Sequence, residues 1–279
     1  MKIKKAIFPV AGFGTRFLPV TKTQPKEMLP VLNKPVIHYL VEEAVASGIE
    51  EIIIVTGRGK RAIEDYFDHS FELEHNLVEK GKHELLSEVQ AISNMAKFTY
   101  VRQPVPRGDG DAILQAYHLV KGEPVAIMFG DDLVFGKTPA LKQLIDVYDS
   151  HNASVIGLTK VPDEKLNQYG VVSNSSKNGE VYELDGFVEK PKSKLEAPSN
   201  LAVVGKYVLH PSTMDRLFEM SQNFDYKNEL RLANAFVDDL KNSQKLFGKN
   251  LEGERFDTGS VEGMLKATLQ VAKMKGIKF

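Results

Sequence analysis

Short apolar runs alternate with helical patterns through the first half of this chain, and the alternation restricts the folds that it can adopt. Residues 6–10, 51–55, 98–102 and 125–129 have the length and composition of strands. Residues 35–46 instead place their apolar side chains along one face of a helix. Strands separated by helices are typical of a parallel sheet. We therefore predict an α/β protein with a mixed, mainly parallel central sheet flanked by helices.

The pattern changes after residue 162. Residues 169–173, 181–188 and 201–209 are short segments with strand-like alternation. Residues 174–179, between the first two, have the composition of a hairpin turn. The second half is therefore predicted to add a small antiparallel part to the sheet. Because no linker, low-complexity tract or internal repeat divides the sequence, we predict a single domain over residues 1–279.

The charge and the cysteine content exclude several classes of function. The formal net charge is −1, so no overall positive field attracts nucleic acid, and no nucleic-acid partner is expected. The absence of cysteine excludes disulfides and thiolate metal sites. No apolar run approaches the roughly 20 residues of a membrane span, and the run after the basic N-terminus is too short for a signal peptide. We expect a cytoplasmic protein with no membrane partner.

The loop after the first predicted strand has the residues that a polyphosphate requires. Its sequence, from residue 11, is Ala-Gly-Phe-Gly-Thr-Arg. Glycines let backbone N–H groups approach an anion, and the cations Arg16, Lys22 and Lys26 would neutralise it. The loop lacks the third glycine of a dinucleotide fingerprint and the Gly-Lys-Ser/Thr of a P-loop, which argues against hydride transfer and ordinary ATPase chemistry. Taken alone, it is equally consistent with a tight turn that carries solvated cations.

Carboxylates follow two other predicted strands. Asp131 and Asp132 follow residues 125–129 after Gly130, and adjacent carboxylates repel each other unless a cation or hydrogen bonds relieve them. Either one of them binds Mg²⁺, which usually takes one or two carboxylates together with substrate phosphates, or one caps a helix and its neighbour is solvated. Asp257, in the sequence Phe-Asp-Thr-Gly, has a similar position. Taken alone, the position of Asp257 favours a turn residue over a metal ligand.

Further polar residues lie at the end of the strand predicted at 181–188. Glu189 and Lys190 either form a surface ion pair, which contributes little, or supply a carboxylate for ligand hydroxyls and an amine for a phosphate. Gly170 marks a point where a ligand could approach the backbone closely. The seven histidines have no metal-ligand spacing, so no histidine metal site is predicted.

These segments, in this order, resemble the sugar-nucleotide pyrophosphorylases, and in particular the bacterial UDP-glucose pyrophosphorylases. The resemblance covers nearly the whole chain and rests on FPVAGFGTRFLPVTKTQPKEMLPV, GDDL, YGVV, VEKP and RFDTGS. It implies a Rossmann-like nucleotidyltransferase fold and an enzyme in which glucose 1-phosphate attacks the α-phosphorus of UTP, with Mg²⁺, to form UDP-glucose and pyrophosphate. It also implies a homodimer or homotetramer. Within the single domain, it implies a nucleotide-binding half, residues 1–160, and a sugar-binding half with the C-terminal helices, residues 161–279.

The resemblance further implies roles for individual residues. The residues implied in nucleotide binding are Ala11, Gly12, Gly14, Thr15, Gln103, Gly108 and Asp131. Among these, Ala11, Gly12 and Gln103 would read the uracil, and Gly108 would lie against the base. The implied catalytic cations are Arg16 and Lys26, on the triphosphate, and Lys190, on the sugar phosphate. The residues implied in sugar binding are Gly170, Glu189, Lys190 and Gly205. The implied Mg²⁺ ligands are Asp131 and Asp257.

Two segments depart from the resembled family. Where that family usually reads Leu-Gly-Leu-Gly-His-Ala, residues 107–112 read Arg-Gly-Asp-Gly-Asp-Ala, so acids replace an apolar residue and a histidine beside the expected base pocket. Where it tends to read Glu-Ile-Gln-Leu-Thr-Asp, residues 229–234 read Glu-Leu-Arg-Leu-Ala-Asn. These departures leave two alternatives open. One is the same chemistry with another substrate, such as dTTP, galactose 1-phosphate or N-acetylglucosamine 1-phosphate, and the other is a non-catalytic protein that binds sugar nucleotides.

Overall fold

The structure is a computed structural model that describes residues 2–278. Its strands are β1 (Lys5–Pro9), β2 (Pro30–Val31), β3 (Lys34–Pro35), β4 (Glu51–Thr56), β5 (Lys97–Arg102), β6 (Val125–Met128), β7 (Asp132–Phe135), β8 (Ser154–Lys160), β9 (Gly170–Asn178), β10 (Val181–Glu189), β11 (Leu201–Leu209), β12 (Leu246–Asn250) and β13 (Glu254–Asp257). Its α-helices are α1 (Val36–Ala46), α2 (Arg61–Phe67), α3 (Phe71–Glu79), α4 (His83–Ser93), α5 (Asp109–Leu114), α6 (Tyr117–Val120), α7 (Ala140–His151), α8 (Pro211–Gln222), α9 (Leu232–Lys241) and α10 (Val261–Met274).

Nine strands form one mixed sheet in the order β5-β4-β1-β6-β11-β8-β12-β10-β9. Neighbouring strands from β5 to β6 are parallel, as are β8 and β12. The pairings of β11 with β6 and β8, and of β10 with β9 and β12, are antiparallel. The predicted mixed α/β sheet is confirmed. Antiparallel pairing takes a larger share than the sequence indicated, because the buried strand β11 lies within the sheet and not at its edge.

Both faces of the sheet are covered by helices, because the strands are apolar on both sides. Along β1, Ala6 and Phe8 belong to one core cluster and Ile7 to the other. Helices α1, α2, α7 and α10 contribute to the first cluster, and α5, α6, α8 and α9 to the second. This two-sided burial is typical of parallel sheets. Within residues 2–278 no helix is long and apolar enough to cross a membrane.

Helices α5 and α9 begin beside two segments that pair with each other. Helix α5 begins at Asp109, and no side chain caps it. Helix α9 begins at Leu232, because residues 229–231 pair with the loop before α5 instead of forming a helical turn: the backbone N–H of Leu230 donates to the carbonyl of Arg107 at 2.9 Å.

Candidate active site

Two adjoining cavities open at the sheet edge where β1, β5 and β6 end. The first cavity, of about 440 Å³, lies between the loop of residues 11–15 and the segment 103–112. The second cavity, of about 240 Å³, lies over β9, β10 and β11. Because Asp109, Phe129 and Asp131 line both, two ligands can lie side by side with Asp131 at their junction.

The structure brings the predicted site residues together in these two cavities. The first cavity is lined by Lys26 and by all seven predicted nucleotide-binding residues: Ala11, Gly12, Gly14, Thr15, Gln103, Gly108 and Asp131. The second is lined by the predicted sugar-binding and metal residues, with two of the predicted catalytic cations, Lys190 and Arg16, among its lining: Gly170, Glu189, Lys190, Gly205, Asp131, Asp257 and Arg16. Arg16, which the resemblance associates with the triphosphate, is therefore on the second-cavity side, and its Nη1 is 3.5 Å from the carbonyl of Gly259.

The shape of the first loop depends on Gly14. Its φ is +66°, in the left-handed region, and a Cβ there would lie 3.0 Å from the Cβ of Lys26. The Thr21 hydroxyl donates to the Gly14 carbonyl at 2.8 Å. Another residue at this position would be strained by its backbone conformation and crowded against Lys26. Gly14 therefore brings the loop and the Lys26 side chain to the same wall of the cavity.

Lys26 and Asp131 form an ion pair at the junction of the cavities, with 2.6 Å between Nζ and Oδ2. Burial alone would raise the pKa of Asp131, but the adjacent Lys26 ammonium holds it below its ordinary value. Burial likewise opposes the charge on Lys26, and Asp131 outweighs this effect, so the pKa of Lys26 is raised. The two groups are thus charged and neutralise each other. An incoming anion could pair with Lys26, and an incoming cation could pair with Asp131.

The carboxylates of Asp131 and Asp257 converge beside Gly259. A Cβ at Gly259 would lie 2.8 Å from Asp131 Oδ2 and 3.0 Å from Asp257 Oδ1. Burial, followed by the like charges of Asp132 and Asp131, raises the pKa of Asp257, which is the condition that a bound cation relieves. No group of three or more His, Cys, Asp or Glu side chains around one point occurs among residues 2–278. Two carboxylates nevertheless fit Mg²⁺, because this ion takes its other ligands from phosphates and water.

Asp132 has a different environment from its neighbour. Its Oδ1 accepts a hydrogen bond from Arg255 Nε at 2.6 Å, and its Oδ2 accepts one from the backbone N–H of Gly205 at 2.7 Å. It is the first residue of β7 and pairs with Asp257 in β13. The alternative that one of the two aspartates caps a helix is therefore wrong. Asp132 ties β11 and β13 together, and both carry predicted ligand residues.

A buried ion pair supports the first loop from below. Lys60 Nζ donates to Glu27 Oε2 at 2.7 Å, with side-chain exposures of 6% and 1%. Burial raises the pKa of Glu27, which Lys60 partly offsets. Among residues 2–278, Glu27 Oε1 is the one buried side-chain polar atom without a hydrogen-bond partner. Lys60, which follows Gly57, Arg58 and Gly59 in the sequence, thus holds the segment that carries Lys26.

The second cavity is closely packed around its predicted sugar-binding residues. A Cβ at Gly170 would lie 2.7 Å from the Phe187 ring, and one at Gly205 would lie 2.8 Å from Phe129 Cβ. Glycine is therefore required at both positions for the strands to pass these side chains. Glu189 lies within 3.8 Å of Lys190 Nζ and 3.3 Å of Arg231 Nη1. The two cations beside Glu189 give this end of the cavity groups for both hydroxyls and phosphate.

The two segments that depart from the resembled family contact each other. A Cβ at Gly108, whose φ is +109°, would lie 2.2 Å from the carbonyl oxygen of Leu230. The N–H of Gly110 donates to that carbonyl at 3.0 Å, and the N–H of Leu232 donates to Asp109 Oδ1 at 2.7 Å. Burial raises the pKa of Asp109 to about 6. Residues 107–112 and 229–234, the two segments that depart from the resembled family, are thus hydrogen-bonded to each other beside the cavities.

Sequence reasoning missed several residues that line the cavities, namely Asp109, Phe129, Arg231 and Arg255. Arg255 lies over the Tyr169 ring, with its guanidinium carbon 4.6 Å from the ring centroid. The signal was present for Arg255, because it directly precedes Phe256 and Asp257 in a segment already identified. For Phe129 there was no signal, since it reads as the apolar end of a strand.

Two adjoining cavities at the sheet edge where β1, β5 and β6 end, a loop rich in glycine and cations, and paired carboxylates are the arrangement expected of a nucleotidyl-transferring protein. The chain matches the nucleotidyl transferase family over residues 5–274, and it belongs to that family. The predicted nucleotidyltransferase fold is therefore confirmed.

The similarity extends to individual relatives along nearly their whole length. The chain is 48% identical over 271 residues to a UTP–glucose-1-phosphate uridylyltransferase of Bacillus subtilis (strain 168), covering 97% of this chain and 91% of the relative. A solved structure of UTP-bound UGPase from Acinetobacter baumannii superposes with a TM-score of 0.88 at 41% identity, covering 98% of this chain and 94% of that one. A crystal structure of UDP-glucose pyrophosphorylase complexed with UDP-glucose gives 0.86 at 40% identity, covering 98% and 99%. The resemblance inferred from the motifs is confirmed.

Proposed function

We propose that this protein transfers the uridylyl group of UTP to glucose 1-phosphate and forms UDP-glucose and pyrophosphate. The observation that carries the proposal is the pair of cavities that meet at Asp131, one for each substrate. The sequence identity to uridylyltransferases over 97% of the chain supports the choice of substrates.

The first cavity suits the nucleotide and the second the sugar phosphate. Apart from Glu229, the residues that line the first cavity all lie between Pro9 and Asp131, within the predicted nucleotide-binding half, residues 1–160. Most residues that line the second lie between Gln168 and Asp257, within the predicted sugar-binding half, residues 161–279. We propose that the halves of the one domain divide the substrates in this way.

The reaction needs no protein nucleophile. An oxygen of the sugar phosphate forms a bond to the α-phosphorus, the bond from that phosphorus to the bridging oxygen breaks, and pyrophosphate leaves with the electron pair. Two unit charges at 4 Å repel by about 4 kcal/mol at an effective dielectric near 20, and both substrates carry several. The task of the protein is therefore to position the phosphates and to neutralise their charge.

The cations of the site supply that neutralisation. Lys26 would contact the triphosphate in the first cavity, and Lys190 and Arg16 would contact phosphates from the second. Asp131 and Asp257 would hold Mg²⁺, which when bound would add charge neutralisation between the phosphates of both substrates. Glu189 would accept hydrogen bonds from sugar hydroxyls, and Gln103 would contact the base. A cytoplasmic location and assembly as a homodimer or homotetramer remain predictions from the sequence.

The test is pyrophosphate release from a matrix of nucleotides and sugar 1-phosphates, with Mg²⁺ and with EDTA in its place. We expect the highest rate with UTP and glucose 1-phosphate and no turnover with EDTA. Lys26→Met should lower turnover by about 100-fold or more. Lys22→Met is the matched control, because Lys22 belongs to the same loop but is exposed and lines neither cavity.

Three outcomes would contradict the proposal in different ways. Highest activity with dTTP or another sugar 1-phosphate would keep the chemistry and change the substrates. Binding of UDP-glucose by folded protein without turnover would favour the non-catalytic alternative. Equal loss in the Lys22→Met and Lys26→Met variants would remove Lys26 from the site.

A further inference from the structure

Behind the first cavity, the side chain of Asp111 contacts Gln103. Both side chains are buried, with 7% and 6% exposure, and Gln103 lines the cavity whereas Asp111 does not. Gln103 Nε2 donates to Asp111 Oδ2 at 2.7 Å and to the carbonyl of Gly108 at 3.1 Å. Both N–H groups of the amide are thus used within the protein.

These contacts fix which end of the amide faces the cavity. A carboxylate oxygen and a backbone carbonyl accept hydrogen bonds, so the Nε2 end of the Gln103 amide, and not its oxygen, faces both of them. Within the described chain, no side-chain or backbone donor bonds Gln103 Oε1, and this atom is not among the buried unpaired polar atoms. Oε1 is therefore accessible, on a residue that forms part of the cavity wall.

We propose that Asp111 is a positioning residue, which holds the Gln103 amide with its carbonyl oxygen toward the cavity and thereby selects pyrimidines that carry a proton on N3. Uracil and thymine have an N3–H donor, whereas the N3 of cytosine is an acceptor. A fixed Oε1 accepts from the first two bases and repels the third. The inference rests on the proposed function, because it takes the first cavity as the site of the nucleotide.

The histidine that the resembled family usually has in place of Asp111 would act differently. An imidazole nitrogen is a donor or an acceptor according to its tautomer, so it can face either end of the amide. A carboxylate leaves only one orientation. Asp111 would thus give the base site a fixed polarity, and this is a property of the present chain.

The test compares UTP with CTP, which differ in the base edge but not in the triphosphate. We would measure kcat/KM for both nucleotides at saturating glucose 1-phosphate, and their equilibrium binding by calorimetry, in the parent, Asp111→Leu and Asp111→Asn. Leucine cannot accept from Gln103, whereas asparagine can still present an oxygen. The UTP-to-CTP ratio is expected to fall about tenfold in Asp111→Leu and by less in Asp111→Asn, as for the loss of one buried hydrogen bond.

The change should appear in KM and in binding, with kcat for UTP nearly unchanged, because Gln103 contacts the base and not the reacting phosphates. Asp215→Asn is the matched control. Its carboxylate also accepts from a neutral side chain, Tyr117, at 2.6 Å, and Asp215 lines neither cavity. This control should leave the UTP-to-CTP ratio unchanged.

An unchanged ratio in folded Asp111→Leu, or an equal loss for both nucleotides, would overturn the inference and leave the proposed function intact. If Asp111→Leu does not fold, the same criterion applies to Asp111→Asn. If the parent binds UTP in preference to CTP but releases no pyrophosphate, the proposed function fails and the binding ratios still decide the role of Asp111. A parent that binds neither nucleotide would overturn both.

Discussion

Replacing Asp132 by alanine is expected to destabilise the fold, whereas the same change at Asp131 is expected to abolish activity and leave the fold nearly as stable. Asp132 and Arg255 form a pair in which the side chains are 10% and 12% exposed. The side chains of Asp131 and Lys26 are 27% and 21% exposed. In the Asp131→Ala variant, water can therefore solvate the unpaired Lys26 ammonium. In the Asp132→Ala variant, water reaches the unpaired Arg255 guanidinium far less.

The magnitude follows from what the Asp132→Ala variant leaves unpaired. Removal of one partner of a buried ion pair typically costs about 3–5 kcal/mol, and the Gly205 N–H also loses its acceptor. We expect a loss of at least about 3 kcal/mol in the free energy of unfolding for Asp132→Ala, and of about 1 kcal/mol or less for Asp131→Ala. At about 2–4 °C per kcal/mol for a domain of this size, the melting temperature of the first should fall by at least about 6 °C.

The assay is guanidinium unfolding followed by circular dichroism, with pyrophosphate release measured on the same preparations. Asp131→Ala should lose activity by orders of magnitude at nearly parental stability, because it removes a proposed Mg²⁺ ligand. The reasoning is refuted if Asp132→Ala stays within about 1 kcal/mol of the parent, or if both variants lose equal stability. Near-parental activity of Asp131→Ala would remove that residue from the metal site.

Two further predictions concern buried carboxylates. Lys60→Met leaves Glu27 buried without its cation and should cost about 3–5 kcal/mol of unfolding free energy; the double variant Glu27→Gln with Lys60→Met should recover much of it, and equal losses in the single and double variants would contradict this. The raised pKa of Asp109, about 6, means that the folded protein holds that proton more tightly than the unfolded chain, so its contribution to stability falls as the pH rises from about 4 to about 6. The unfolding free energy of Asp109→Asn, measured relative to the parent, should therefore rise over that range and level off above it, and a flat difference would contradict the assignment.

Much of the site could be predicted because its residues follow strands in the sequence. Gly14 and Asp131 lie in the loops that follow apolar runs, and the carboxyl ends of parallel strands meet at one edge of a sheet. The different partners of Asp131 and Asp132, which are Lys26 and Arg255, could not be predicted in the same way. The two aspartates are adjacent in the sequence and follow the same strand, so no local pattern distinguishes them. The pairing of β7 with β13 places Asp132 beside Arg255 and Gly205.

The loop of residues 107–112 illustrates the same limit. Its acidic residues depart from the resembled family, and in the sequence they carry no sign of a partner. In the structure, Asp109 accepts from Leu232, which lies 123 residues further along the chain, and Asp111 accepts from Gln103. A hydrogen bond between distant segments leaves no periodicity in the sequence, so these roles appear only when the chain is folded.

By itself, the sequence determined the α/β class, the order of strands and helices in the first half, and the residue types at the carboxyl ends of the strands. These follow from local patterns of apolar residues, glycines and charges, which act over a few residues. The tertiary structure decided that β11 lies within the sheet, that the two cavities adjoin at Asp131, and that Asp131 pairs with Lys26 whereas Asp132 pairs with Arg255. Those properties depend on packing and on pairing between segments far apart in the chain, where the free energy is set by burial and by partners that local sequence does not specify.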